Sequence, residues 1–238
     1  MLENDNLEDE LTSAEIEEFN LEKVCYQLST RGKWPLKNSF NSTSFFISKN
    51  FLLTSAHNVV KTYRKVNFLE VAPSRIGKVY PFGYFTINTG LSDNIKIYPN
   101  YDMGNKTKRS LYDIALVYIP DSILDKNTKF IFKNSLPILT DISSISKGEQ
   151  IYCAGYPASG QHKNRYRMTF DKSKIIEIKE HSFIHNLNTA TGNSGSPIMV
   201  KRNNEFHVIG VNSIKSNGTL INQMKQNWIK ESMISLKS

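Results

Sequence analysis

At 238 residues and 27.2 kDa, with 39% apolar and 22% charged residues, the chain has material for one large domain or two fused halves with a proper core. Its longest clean apolar run, Ile114 to Ile119, is far short of the roughly 18–20 residues that span a bilayer, so no membrane is expected among its partners. The net charge of +8 conceals a division: residues 1–23 hold nine acids and one lysine, leaving 29 basic and 13 acidic residues in the remainder. A basic body suits acidic partners, but its charges are scattered, and no helix-turn-helix, zinc finger or aromatic–basic RNA motif accompanies them, which argues against nucleic acid.

The chain opens on "MLENDNLEDE", which is acidic and not the basic-then-apolar pattern of a secretory leader. A cytoplasmic protein is expected, the alternative being one secreted or delivered as an effector by a route the sequence does not show. In "LTSAEIEEF", Thr12 with Glu15 three residues on forms a capping box, which predicts a short helix over about 13–22. Residues 1–23 are either a solvated tail or a segment that folds over the basic body and inhibits it until a partner displaces it. From residue 24 the pattern changes to short apolar or alternating runs separated by Gly, Asn, Asp and Ser. Strands are expected at Ser44–Ile47, Phe51–Thr54, Val79–Ile87, Asp93–Tyr98, Ile114–Ile119, Gln150–Ala154, Lys174–Ile178, Pro197–Lys201 and Phe206–Val211. Many short strands so spaced indicate an all-β sandwich or barrel. Ile221, Met224 and Trp228 then recur at helical spacing, which predicts a C-terminal amphipathic helix after Gly218. A polar seam around 121–146 divides the body into an N-terminal β unit, 24–125, and a C-terminal unit, 126–238, behind the acidic segment 1–23. Cys25 and Cys153 are too few and too far apart for a zinc site and read as reduced packing residues. No metal or cofactor is expected.

Three short stretches carry chemistry. "TATGNSGSPIMV" surrounds Ser194 with small residues immediately before an apolar run. Taken alone it is a flexible loop, or a place where the backbone must approach something closely. "FLLTSAHNVV" places His57 just beyond a strand, and a lone histidine there is as well explained by packing. "LYDIALVYI" sets Asp113 at the head of the cleanest buried strand, where a carboxylate is costly unless paired. Nucleophilic serine catalysis needs a base within hydrogen-bond reach, a carboxylate orienting that base, and backbone donors for the developing oxyanion. His57, Asp113 and Ser194 supply base, carboxylate and nucleophile in the sequence order of the chymotrypsin triad. Asp93 and Asp102 also lie between the histidine and the serine, but in polar turns without a following apolar strand.

With "TSAH", "DIAL" and "GNSGSP" in that order, the chain resembles the chymotrypsin-like serine proteases, and among them the glutamyl-endopeptidase branch, over roughly Thr43 to Lys230. "IYPNYD", "GYP" at Gly155–Pro157 and "VIGV" extend the likeness. The resemblance implies two six-stranded antiparallel β-barrels with a C-terminal helix and a serine endopeptidase acting on proteins or peptides through an acyl-enzyme. In it His57 is the base, Asp113 its orienting carboxylate and Ser194 the nucleophile. Gly192, Asn193 and Ser194 form the oxyanion turn, with the N–H groups of Gly192 and Ser194 as donors. Asn188, Thr189, Asn212, Ser213 and Lys215 are expected around the primary specificity pocket. Two departures matter. Asn193 stands where many relatives carry an aspartate that pairs with a newly cut N-terminus, so activation by that salt bridge is not expected. Asn212 replaces the histidine that helps glutamyl endopeptidases bind a substrate carboxylate. A polar or acidic residue before the cut is expected, with Lys215 as a source of positive charge. The rival reading is a protease fold that binds without cutting. Arg165, Arg167, His162 and Lys163 read as an exposed basic loop, and His181, His185 and His207 as structural.

Overall fold

The computed structural model describes residues 9–32, 38–61, 64–89, 93–127, 129, 135–159 and 165–237. In chain order, β1 (Asp9–Glu10) and α1 (Ser13–Glu18) precede a first set of strands. These are β2 (Val24–Arg31), β3 (Asn38–Ser48), β4 (Phe51–Thr54), the small hairpin β5 (Val60–Lys61) and β6 (Arg64–Lys65), β7 (Phe68–Pro73), β8 (Phe85–Asn88), β9 (Ile95–Ile97) and, after α2 (Lys106–Leu111), β10 (Ala115–Tyr118). A short α3 (Asp121–Leu124) leads to the second set: β11 (Gln150–Gly155), β12 (Thr169–Ile178), β13 (Ser182–His185), β14 (Pro197–Arg202), β15 (Glu205–Asn212) and β16 (Asn217–Leu220). The chain ends in α4 (Gln223–Lys237).

The molecule is all-β with the expected C-terminal helix, and its two sheets differ in closure. In the second, the order β12-β11-β14-β15-β16-β13 returns on itself because β13 also pairs with β12, giving a closed six-stranded barrel. The first is a curled sheet ordered β8-β7-β2-β3-β4-β10-β9, and among the described residues no pairing joins β8 to β9. Six closed strands were expected in each half. The end strands β8 and β9 span only four and three residues, too short a ladder to bridge the gap, and apolar side chains such as Phe46, Phe85 and Ile95 fill the space instead.

Several predicted strands begin or end elsewhere. Val79–Ile87 contracts to Phe85–Asn88, because Gly83 at φ 69° turns the chain just before it. β2, β7, β13 and β16 were missed, as were the two-residue β1, β5 and β6; "FLEVAP" and "SFIH" do not keep a clean alternation. The capping box forms: Thr12 accepts from the Glu15 N–H and the Glu15 carboxylate accepts from the Thr12 N–H at 2.8 Å. The helix closes at Glu18 instead of about 22, where Asn20 turns out of helical geometry at φ 55°.

Residues 9–23 of the acidic segment are part of the packed body. β1 adds to the first residues of β12, beyond the part that pairs with β13, with Glu10 opposite Thr169, and Leu11, Ile16 and Leu21 are all buried. Phe19 stacks on Phe170 at 5.2 Å between ring centres, and Glu10 pairs with Arg165 at 2.9 Å. Each fully buried aliphatic side chain is worth about 1.5–3 kcal/mol, so the apolar residues, not the exposed ion pairs, hold this strap in place.

The C-terminal helix crosses back to the first sheet on an unusual anchor. Lys225 has no exposure, and its Nζ lies 5.4 Å from the ring centres of both Tyr98 and Tyr112 and 3.3 Å from the His181 carbonyl. Burial pushes its pKa down to about 7, with the Glu180 charge opposing the shift. An unfolded chain carries this lysine near its ordinary value of 10.5, so between pH 7 and that value the unfolded state binds more protons, and stability rises with pH. Lys225→Met is therefore expected to raise the melting temperature at pH 7 relative to wild type. The gain should shrink as pH approaches 10, and a gain independent of pH would contradict the assignment.

Candidate active site

Strand pairing explains how residues far apart in sequence meet. β4 and β10 run antiparallel with Thr54 opposite Ala115, so the residues just after Thr54 lie beside those just before Ala115. Small Ser55 and Ala56 lead into a 3-10 turn over Ala56–Asn58, which carries His57, while Asp113 heads β10. The second barrel repeats the device. β14 and β15 pair with Pro197 opposite Val211, which brings Ser194, ahead of β14, beside Ser213, beyond β15.

Asp113 is wholly buried and surrounded by donors. Its Oδ1 accepts the His57 main-chain N–H at 3.0 Å; its Oδ2 meets His57 Nδ1 at 2.7 Å and accepts from Ser213 Oγ at 2.5 Å. Burial alone would raise this carboxyl's pKa. The His57 charge and the hydrogen bonds from His57 and Ser213 outweigh it, leaving the group below its ordinary value. Because Asp113 holds Nδ1, the opposite ring nitrogen of His57, whose side chain is about a quarter exposed, is left for the cleft. Asp102 and Asp93 take no part: Asp102 accepts from the Gly104 N–H in an exposed turn, and Asp93 pairs with Lys96.

Ser194 lies at the junction of the two sheets. Its Oγ donates to the Ser213 carbonyl at 3.0 Å, and among the described residues no hydrogen bond joins it to His57. The surrounding loop is tied down carbonyl by carbonyl. The Gly192 carbonyl accepts from Thr43 Oγ1 at 2.9 Å, and the Ser194 carbonyl accepts from the Thr43 N–H at 2.9 Å and from Asn58 Nδ2 at 2.8 Å. The Thr191 carbonyl accepts from the Ala158 N–H at 2.6 Å. The Asn193 N–H donates to Ala190, whereas the N–H groups of Gly192 and Ser194 meet no acceptor among the described residues. Across a planar trans peptide the carbonyl and the next N–H point opposite ways, so these two donors face away from the contacts that anchor the Thr191 and Asn193 carbonyls. Of the remaining predicted residues, Asn188 is exposed and donates its N–H to Asp171 at 2.6 Å. Thr189 Oγ1 donates to the carbonyl of exposed Lys215 at 3.0 Å, and Asn212 is 2% exposed.

Sequence reasoning missed Thr43, Asn58 and Ala158. The signals were there: a polar Thr43 in a strand that continues into Phe45–Phe46, and an asparagine directly after His57. It also placed Ser213 at the substrate, whereas here its hydroxyl serves Asp113. His162 and Lys163 lie outside the described residues; Arg165 and Arg167 face Glu10. A groove of about 560 Å³ lies beside the 3-10 turn, lined by Val60, Ile97, Pro99, Tyr101, Met103 and Lys108 among others. No group of three or more His, Cys, Asp and Glu side chains among the described residues is placed to hold a metal ion, and no helix among them is long and apolar enough to cross a membrane.

With this geometry in view, comparison with known proteins is decisive. Residues 23–226 match the family described as Trypsin. The chain belongs to the trypsin family. The match places it with the chymotrypsin-like serine proteases in family and fold, near the glutamyl-endopeptidase branch. Glutamyl endopeptidases of Staphylococcus aureus strains MW2 and MSSA476 are each 25% identical to it over 198 residues, which is 82% of this chain and 54% of theirs. The chain thus spans about half the length of these curated relatives. Among solved structures, a Glu endopeptidase superposes with a TM-score of 0.69 at 16% identity, covering 94% of this chain and 95% of its own. The protease Anisep of Arthrobacter nicotinovorans gives 0.64 at 15% identity, covering 87% and 93%.

Gly192 tests the loop directly. Its φ is 102°, and an added Cβ would lie 2.4 Å from the Tyr156 carbonyl oxygen, a backbone atom that cannot move aside. Gly192→Ala is expected to lower turnover by on the order of 10²-fold, the cost of a lost oxyanion donor. The melting temperature should fall only modestly, as calorimetry alongside the assay would show. Unchanged turnover would mean that the loop conformation is not required.

Proposed function

We propose that this chain is a serine endopeptidase that cuts peptide bonds through an acyl-enzyme formed on Ser194. The supporting observation is a buried, ionised Asp113 gripping His57 Nδ1, with Ser194 and two unpartnered N–H groups in the same cleft. In this reading Ser194 Oγ leaves the Ser213 carbonyl by rotating about χ1 and donates to His57. It then attacks the scissile carbonyl as His57 takes the proton. Asp113 fixes the tautomer and stabilises the imidazolium. The Gly192 and Ser194 N–H groups receive the negative charge that develops on the carbonyl oxygen. His57 returns the proton to the leaving amine, and water releases the acyl group by the same route.

For the residue before the cut, polar and acidic side chains suit the surroundings best. Thr189 Oγ1 donates to the Lys215 carbonyl, and the exposed Lys215 brings a positive charge. The alternative, a protease fold that binds without cutting, draws on the Ser194 hydroxyl being engaged with Ser213. The buried apolar side chains of residues 9–22 support a structural part for this segment.

Incubation with a diverse peptide library separates these readings. Cleavage by wild type, abolished in Ser194→Ala and reduced about 10⁴-fold or more in His57→Ala, is the expected result. Enrichment of Glu, Gln or other polar residues before the cuts would support the specificity. Cleavage that survives in Ser194→Ala, or a wild type that neither cuts nor reacts with a fluorophosphonate, would overturn the proposal.

A further inference from the structure

Asn212 does more than border a pocket. It has 2% exposure, and its Nδ2 donates to the Asn193 carbonyl at 3.0 Å. That carbonyl belongs to the same peptide unit as the Ser194 N–H, one of the two donors facing the cleft. It accepts a second hydrogen bond, at 3.1 Å, from the Ser196 N–H. The main chain of Asn212 is tied to the same loop: its N–H donates to the Ser196 carbonyl, and its carbonyl accepts from the Gly195 N–H, each at 2.8 Å. Ser55 Oγ of the first sheet donates to that same Asn212 carbonyl at 2.8 Å. The main chain of Asn212 is therefore braced from both halves of the molecule, and its side chain is turned toward the loop.

The orientation of the amide follows from chemistry. A carbonyl only accepts, so the NH₂ end must face Asn193 and the oxygen must face away. On that other side is His185, wholly buried on the interior face of β13, its ring 6.1 Å from that of Phe183 between centres. Neither ring nitrogen of His185 has a hydrogen-bond partner, and Asn212 Oδ1 also has none. An amide oxygen accepts and a neutral imidazole N–H donates, so these two buried groups are complementary in character. Burial drives the imidazole down to about 4, with the neighbouring Asn212 amide opposing that shift. The ring is thus neutral at pH 7, with one N–H to donate and one nitrogen that only accepts.

We propose that Asn212 is a positioning residue for the oxyanion hole: held in one amide orientation by His185, it fixes the Asn193–Ser194 peptide so that the Ser194 N–H faces the substrate carbonyl. Asn193 carries no charge to pair with an N-terminal ammonium, so the loop lacks that lock, and a neutral amide–imidazole pair takes its place beneath the same peptide. The position that Asn212 occupies then acts on rate, not on recognition of the residue before the cut. The proposal rests on the peptidase reading above.

The test is kinetic. Wild type, Asn212→Asp, Asn212→Ala and Ser194→Ala are assayed on peptides that differ only in the residue before the cut, Glu, Gln or Ala, with kcat and KM determined separately. Thermal melts serve as the folding control. Asp keeps the size of the side chain but cannot donate to the Asn193 carbonyl when ionised, and Ala removes the donor without adding charge. Both variants are expected to lose at least about tenfold in kcat, by the same factor on every peptide and with KM within about twofold, a fraction of the cost of losing a donor outright. A change in KM or in the order of peptide preference, with kcat retained, would make Asn212 a substrate-reading residue and overturn the proposal. So would kcat unchanged in the folded Ala variant. Turnover persisting in Ser194→Ala would instead refute the peptidase reading itself.

Discussion

Asp113 carries a charge where no water reaches it, and a buried carboxylate survives only if protein donors replace its hydration. Three do so, and they come from both halves of the molecule: the main chain and ring of His57 from the first sheet, and the hydroxyl of Ser213 from the second. The position of one charge thereby fixes the imidazole, closes the two sheets on each other, and sets Ser213 so that its carbonyl lies beside Ser194. Removing a partner from such a cluster costs about 3–5 kcal/mol, since the charge is left behind without compensation. Few other contacts in the molecule bear so directly on both fold and chemistry.

Around that charge, the interface between the halves is mainly polar where it meets the cleft and apolar behind it. Thr43, Ser55 and Asn58 reach from the first sheet to the carbonyls of the second barrel's loop. Deeper in, Tyr26 packs edge-on against Tyr156 and Tyr166, with the Arg75 guanidinium 4.3 Å above Tyr26 and 4.0 Å above Tyr166. Stability thus comes from the apolar and aromatic layer, while the polar layer supplies direction. A hydrogen bond from Thr43 contributes only about 1 kcal/mol net, but it decides which way a peptide faces.

Much of this was legible in the sequence because the chemistry demands rare local combinations. His57 behind small residues, Asp113 ahead of an apolar strand and Gly-Asn-Ser-Gly before another each have an ordinary explanation singly, but their order along the chain points to a site. What stayed hidden is long-range. Thr43 is an ordinary strand residue until β3 is laid against the loop at 192–195, and His185 is one buried histidine until β13 and β15 are placed on either side of β16. The end of α1 was missed because Asn20 leaves the helix through a left-handed turn that the apolar periodicity does not register. The first sheet's failure to close depends on the length of β8 and β9, which composition does not fix.

The central claim, that Asp113 is ionised and held so by its donors, can be examined without any substrate. Carbon-13 NMR of protein labelled at aspartate Cγ, with the Asp113 resonance identified by its loss in Asp113→Asn, reports the protonation state as pH is lowered. The account predicts a carboxylate shift at neutral pH that persists to below the ordinary aspartate value of 3.8. Stability from this group is then present above that value and lost as pH falls through the depressed one. A resonance already protonated at neutral pH, or one titrating well above 3.8, would mean that burial outweighs the donors, and the arrangement built on that charge would have to be abandoned.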